Sequence, residues 1–325
     1  MRRGALILAA VLLAVAPAAF AADTYKAPRT PDGQPDLQGV WNTRFILPLE
    51  APAKDAPPLV LPEAEAMAYA QKLGADVRAL KAFEQDPEVA ELSYASAAAG
   101  LGIVRGQRRT RQLVEPADGR LPVTLAARGR INFVEMTIRT NSEPPLPTDG
   151  PEQRPNWERC VVGQGQPPIT IVTDINPRQI LQTREAVVIL TEYGPDLRII
   201  PFGARQASVA QRSALGDSIA RWEGDTLVIE TTNLPGRDTI RPFPTLLVPS
   251  RATVIERYTR VSKTQLLYQY TVIDPATYTA PWLAEYALSS SDQPLYEFAC
   301  HEGNYSLRNI LAGARQRERD QATTR

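Results

Sequence analysis

Short β-branched runs, each stopped by a proline, glycine or asparagine, fill the chain from residue 169 onward, and this rhythm limits the fold more than any other feature. ITIVT (169–173), QILQT (179–183), AVVILTE (186–192) and LRIIPF (197–202) come first. SIARW (218–222) and TLVIET (226–231) follow across Glu223-Gly224-Asp225, then ATVIERYTRV (252–261) and TQLLYQYTVI (264–273) across a Ser-Lys turn, with LYEFAC (295–300) last. Runs of this length and composition read as strands. Strands joined by tight turns run antiparallel, because a parallel return needs a crossover of about a dozen residues or more. The C-terminal half is therefore expected to be an antiparallel meander.

Within TQLLYQYTVI, Leu266, Tyr268, Tyr270 and Val272 share one face, and Leu267, Gln269, Thr271 and Ile273 the other. Neither face is strongly charged, so the strand is covered on both sides or lines a cavity on one. That points to a closed barrel or a sandwich. Tyrosines occupy cores as well as ligand cavities when their hydroxyls find partners, so both readings of Tyr268 and Tyr270 stand at this point.

The N-terminus speaks to location. MRRGALILAAVLLAVAPAAFAAD pairs Arg2 and Arg3 with a short apolar run and an A-x-A arrangement, Ala19-Phe20-Ala21. This is the pattern of a secretory signal peptide over residues 1–22, and it predicts a periplasmic or secreted protein. No later apolar run reaches spanning length, so no membrane span is expected. The 36 basic and 36 acidic residues balance, and loss of Arg2 and Arg3 tips the remainder slightly acidic. That balance argues against nucleic acid or an anionic lipid surface as partner. With only Cys160 and Cys300 in an oxidising compartment, one disulfide is expected.

Four segments follow the signal peptide. Residues 23–61 are proline-rich and hold a first strand at DLQGVW. Residues 62–106 read as a helical insertion: Pro62 precedes Glu63 and Glu65, and Met67, Ala70, Leu73, Val77 and Leu80 recur every three or four positions until Asp86-Pro87. Residues 107–314 form the antiparallel β domain, and 315–325 a polar tail.

PDLQGVW (35–41), RWEGDTLVIETTNL (221–234), VIERYTRV (254–261), DPATYTAPW (274–282) and YEFACHEGNY (296–305) occur in this order. Together they resemble a large family of exported bacterial proteins with signatures close to PDLxGVW, GRWEGDTLV and YxCHEGNY. The resemblance runs from about Pro35 to Ala314 and implies export, with no general activity attached to it. Family members often carry histidines where this chain has Asp217 and Thr253; the final family histidine corresponds to His301. The GVW at 39–41 also resembles the G-x-W of lipocalins, in which glycine permits close approach and tryptophan closes one end of a barrel. This implies a mainly β fold, an antiparallel lipocalin-like β-barrel or alternatively a β-sandwich, with a helical insertion near the N-terminus.

Chemistry is narrowed by what the chain lacks. One histidine and two paired cysteines cannot supply a zinc set, and no acidic run matches a calcium loop, so no metal is expected. Gly163 and Gly165 precede Pro167-Pro168, which forbid the helix that a dinucleotide fingerprint opens; no nucleotide or other cofactor is expected. No strand-turn-helix serine elbow occurs. Acid-base chemistry remains, with His301, Glu302 and Tyr305 of the HEGNY stretch as the candidate catalytic groups. Arg221, Trp222 and Glu223, together with Tyr268 and Tyr270, are the candidate ligand-binding residues, although Gly224 beside them is equally what a tight hairpin needs. Two functions fit: binding of a small apolar or aromatic molecule without turnover, or a cofactor-independent, metal-independent lyase or hydrolase acting on such a molecule.

Overall fold

The structure, a computed structural model, describes residues 25–74, 100–140, 148–235 and 239–323, except positions 44, 53–54, 155–157, 162, 172–176, 195, 204–210, 243–244 and 249. The expected signal peptide and the helical positions Val77 and Leu80 lie outside the described residues. In chain order the strands are β1 (Gly39–Asn42), β2 (Val60–Leu61), β3 (Ile103–Val104), β4 (Gln107–Arg109), β5 (Leu113–Glu115), β6 (Arg178–Gln182), β7 (Ala186–Thr191) and β8 (Asp196–Pro201). They continue as β9 (Asp217–Glu223), β10 (Thr226–Thr232), β11 (Thr239–Pro242), β12 (Thr245–Val248), β13 (Thr253–Arg260), β14 (Gln265–Ile273) and β15 (Trp282–Ser291). The helices are α1 (Glu63–Lys72), α2 (Leu125–Thr140) and α3 (Tyr305–Thr323).

The fold is mainly β. One ten-stranded sheet, antiparallel in every strand pair, has the order β8-β7-β6-β1-β15-β14-β13-β10-β9, with β5 beside the start of β15. Tight turns make the hairpins, as their sequences require: Gly224 takes φ +60° between β9 and β10, and the Thr183 hydroxyl accepts from the N–H of Ala186 before β7. The two ends of the order meet once. Phe202, following β8, forms a parallel bridge to Ala220 of β9, and the Gly203 N–H donates to the Ala220 carbonyl at 3.3 Å.

Alternation along the strands decides which face is buried. Leu227, Tyr258, Tyr268 and Tyr286 lie in one cross-strand row of the inner face, and Ile229, Glu256, Tyr270 and Ala284 in the next. On the outer face of β14 and β15, Leu267 and Ala287 pack on Val104 of the small β2-β4-β3 sheet. The buried Glu285 there is matched by Arg109 at 2.8 Å. α2 closes another flank, with Ala127 and Ile131 against Leu247.

Two expectations are corrected. LYEFAC is not a strand; the last strand is WLAEYALSSS, β15, which fills the place between β14 and β1. Its run hides a strand because both faces are buried and its one charge, Glu285, is buried and paired with Arg109. Ile169–Ile171 of ITIVT has no strand either, and the Ile169 N–H and C=O bond to tyrosine hydroxyls instead of a neighbouring strand. Residues 315–323 of the expected polar tail are helical, continuing α3.

Candidate functional site

Two places bring chemically capable groups together. The first is the inner face of the large sheet. Arg198 of β8 reaches Glu256 of β13 with both terminal nitrogens, at 3.1 and 2.5 Å, and also donates to Ser218 and Thr231 at 3.2 Å. Tyr268 donates to the same carboxylate at 2.8 Å, while the Tyr270 hydroxyl bonds to Gln112 at 2.9 Å. The rings interlock, with Tyr268 centred 4.7 Å from Tyr258, 5.4 Å from Tyr270 and 5.0 Å from Tyr286. Burial raises the hydroxyls of Tyr258 and Tyr268 well above the ordinary tyrosine range, and that of Tyr286 above it, so all three are neutral phenols at physiological pH.

An irregular segment, Gly165–Ile171, is buried against this face. Irregular backbone in an interior must find partners for its polar groups. Ile169 does so with the sheet: its N–H donates to the Tyr268 hydroxyl at 2.9 Å and its C=O accepts from Tyr286 at 2.6 Å. Upstream, the Asp196 carboxylate accepts from the N–H groups of Gly163 and Gly165 at 2.9 and 2.8 Å. Tyr268 and Tyr270 are thus core residues covered by the chain itself.

The second place is a cleft of about 220 Å³ at the far end of that segment, lined among others by Cys160, Gly163, Tyr193, Phe298, His301 and Glu302. The Cys160–Cys300 disulfide is present and forms one wall. Phe298 stands on Tyr193 with ring centroids 4.3 Å apart. Gly163 and Gly194 are in backbone contact, which lets the loop after Cys160 sit flat on the β7–β8 turn. Asn304 ties the following stretch down, donating to the Glu158 carbonyl at 2.7 Å.

His301, Glu302 and Tyr305 are all exposed, Tyr305 at 69%. His301 and Glu302 reach the cleft; Tyr305 is not among its lining residues and begins α3. Trp222 packs on the core and stacks on Phe202 at 6.2 Å. Its neighbours turn the other way: Arg221 and Glu223 are exposed and paired, and Arg257 adds a second ion pair to Glu223 at 2.5 Å. The candidate residues therefore divide between the hairpin, the inner face and the cleft. Among the described residues no group of three or more His, Cys, Asp and Glu is placed to hold a metal ion.

Reading the sequence missed Arg178, Arg198, Glu256 and the aromatic pair Tyr193–Phe298. A signal existed for Arg198: in DLRIIP the charged residues alternate with leucine and isoleucine, and the charged set faces inward while Leu197 and Ile199 are 51% and 66% exposed. A scan against protein-family models and a search among curated proteins return no match to this chain.

Proposed function

We propose that this is an exported protein, related to the bacterial family its motifs resemble, that binds a small apolar or aromatic molecule in the cleft beside the disulfide. The observation that carries this reading is the Tyr193–Phe298 pair lining an open cleft of about 220 Å³. A dry cavity of about 150 Å³ is enough for benzene, so this one suits a single substituted ring. The disulfide holds the wall in place before a ligand arrives, which lowers the ordering cost of binding, and it accords with export to an oxidising compartment. The Phe202–Ala220 bridge supports a barrel over a sandwich, because it joins the two ends of a single sheet.

A second reading, a metal-independent lyase or hydrolase, draws on one observation: His301 and Glu302 stand on the rim of the same cleft, where an imidazole or carboxylate can take a proton from a bound ring substituent. Titration calorimetry with phenol, indole and benzyl alcohol, followed by chromatography of the mixtures, separates the two. Binding that is lost in Phe298→Ala, with no product, establishes the binder. Product formation that falls roughly 10²-fold in His301→Gln establishes the enzyme. Binding by wild type and Phe298→Ala alike, or by neither, overturns the cleft as the site.

A further inference from the structure

The two inner-face arginines are in opposite situations. Arg198 has a bidentate carboxylate. Arg178 of β6, only 1% exposed, has no carboxylate within ion-pair distance among the described residues, and its one side-chain hydrogen bond goes from Nη1 to the neutral Tyr286 hydroxyl at 3.1 Å. The rings of Tyr268 and Tyr286, each 5.9 Å from its guanidinium carbon, give it partial cation–π support. A buried cation of this kind is costly unless an anion accompanies it.

The surroundings repeat the message. The Nε of Arg178 is buried without a hydrogen-bond partner, and so is the Oγ1 of Thr191, the residue directly opposite Arg178 in the β6–β7 register. The next residue in that cross-strand line, Asp196, stands opposite Thr191 but two strands from Arg178, about 10 Å by ordinary strand spacing, and its carboxylate accepts from the Gly163 and Gly165 amides. The three phenols near Arg178 are held protonated by burial and supply no negative charge. Among the described residues, two groups able to donate, on facing strands, thus lack acceptors, beside a guanidinium that cannot lose its proton.

The geometry points to an internal anion site, separate from the cleft, in which a carboxylate ligand takes the unused Nε–H of Arg178 and the hydroxyl of Thr191. The covering segment marks how such a ligand sits. The Ile169 carbonyl already places one acceptor at Tyr286, 2.6 Å away, and it belongs to irregular backbone held to the sheet at this point by two phenolic hydrogen bonds. Gly165 of the same segment lies against the Thr191 hydroxyl, so a carboxylate entering here displaces the irregular segment between Gly165 and Ile169 while the strands stay fixed. The class of ligand is a small organic acid, because the neighbouring surface is aromatic and aliphatic, Trp41 and Ile180 included.

Formate, acetate and benzoate, each against its amide, form the test, read as melting temperature and affinity of the full chain at constant ionic strength. At least one acid raises the melting temperature with concentration and binds roughly tenfold or more tightly than its amide. In Arg178→Met the preference for the acid disappears, while the melting temperature without ligand is unchanged or higher. Thr191→Val, which keeps the shape of the side chain, reduces the preference and guards against misfolding of the arginine variant. Acids and amides acting alike on the wild type overturn the proposal, as does a preference that survives both substitutions. A cleft ligand bound equally by wild type and Arg178→Met leaves the cleft reading standing whichever way this test falls.

Discussion

Arg198 and Glu256 face each other across the inner layer, the carboxylate fully buried and bridged by both terminal nitrogens of the guanidinium. A pair so placed contributes little beyond what well-packed apolar residues would, yet breaking it leaves one buried charge alone. Glu256→Gln is expected to destabilise the protein by roughly 3–5 kcal/mol in urea denaturation. Arg198→Met combined with Glu256→Leu recovers most of that loss. A single-variant effect below about 1 kcal/mol would show that the interior admits water at this point.

Gly163 governs the cleft. A methyl group there would lie 2.1 Å from the Tyr193 carbonyl oxygen and 2.4 Å from the Gly194 Cα, both backbone atoms that cannot rotate away. Gly163→Ala is expected to cost roughly 1–3 kcal/mol and to weaken binding of any cleft ligand, because the loop carrying Cys160 must lift. Calorimetry and thermal melting on the same samples check both parts.

Gly224 and Glu223 test the hairpin separately. Nothing lies within 4 Å of a Cβ built on Gly224, so the demand there is its φ of +60°, and Gly224→Val costs roughly 1–2 kcal/mol from backbone strain. The Arg257 guanidinium, with help from Arg221 and against the opposing effect of burial, holds the Glu223 carboxyl below its ordinary 4.5. With the folded value depressed, the ion pair contributes above the unfolded carboxylate value and is lost as pH falls through the folded one. Its side chain is 40% exposed, so Glu223→Gln changes stability at neutral pH by less than about 1 kcal/mol and flattens the acid limb of the stability profile.

The disulfide closes a sequence separation of 140 residues. Replacing Cys160 and Cys300 by serine is expected to cost about 4–5 kcal/mol on the chain-entropy account. Mass measurement after alkylation provides the direct check: neither thiol takes label until reductant is added. Free labelling of both in the native protein contradicts the bond.

How far the sequence was legible follows from where side chains meet. Most strands were readable because their alternation and turns are local: TQLLYQYTVI buries Leu266, Tyr268, Tyr270 and Val272 on one face as its pattern requires. β15 was not, since its outer-face Glu285 is buried against Arg109, a residue far away in the chain, with Gln269 of the neighbouring strand as its second partner. β8 reads with its faces reversed for the same reason, Arg198 being admissible inside because Glu256 is there to meet it. The disulfide could be expected from a count of two. The cleft could not, because Tyr193 and Phe298 come together only after the β7–β8 turn and the run beyond β15 have been placed.

Gly39–Asn42 has one consequence beyond the native structure. β1 pairs on one side with β6 and on the other with Ser289–Ser291 of β15, so four early residues join a sheet half made of β6–β8 to a half made from the strands after it. Each half can assemble from local hairpins, but on the side away from the Phe202–Ala220 bridge their union waits for the last strand of the chain, a non-local step that slows folding. Until then β6 and the end of β15 present unpaired backbone to any neighbouring chain. Losing these four residues would convert an assembly problem into a solubility problem, with aggregation in place of simple unfolding.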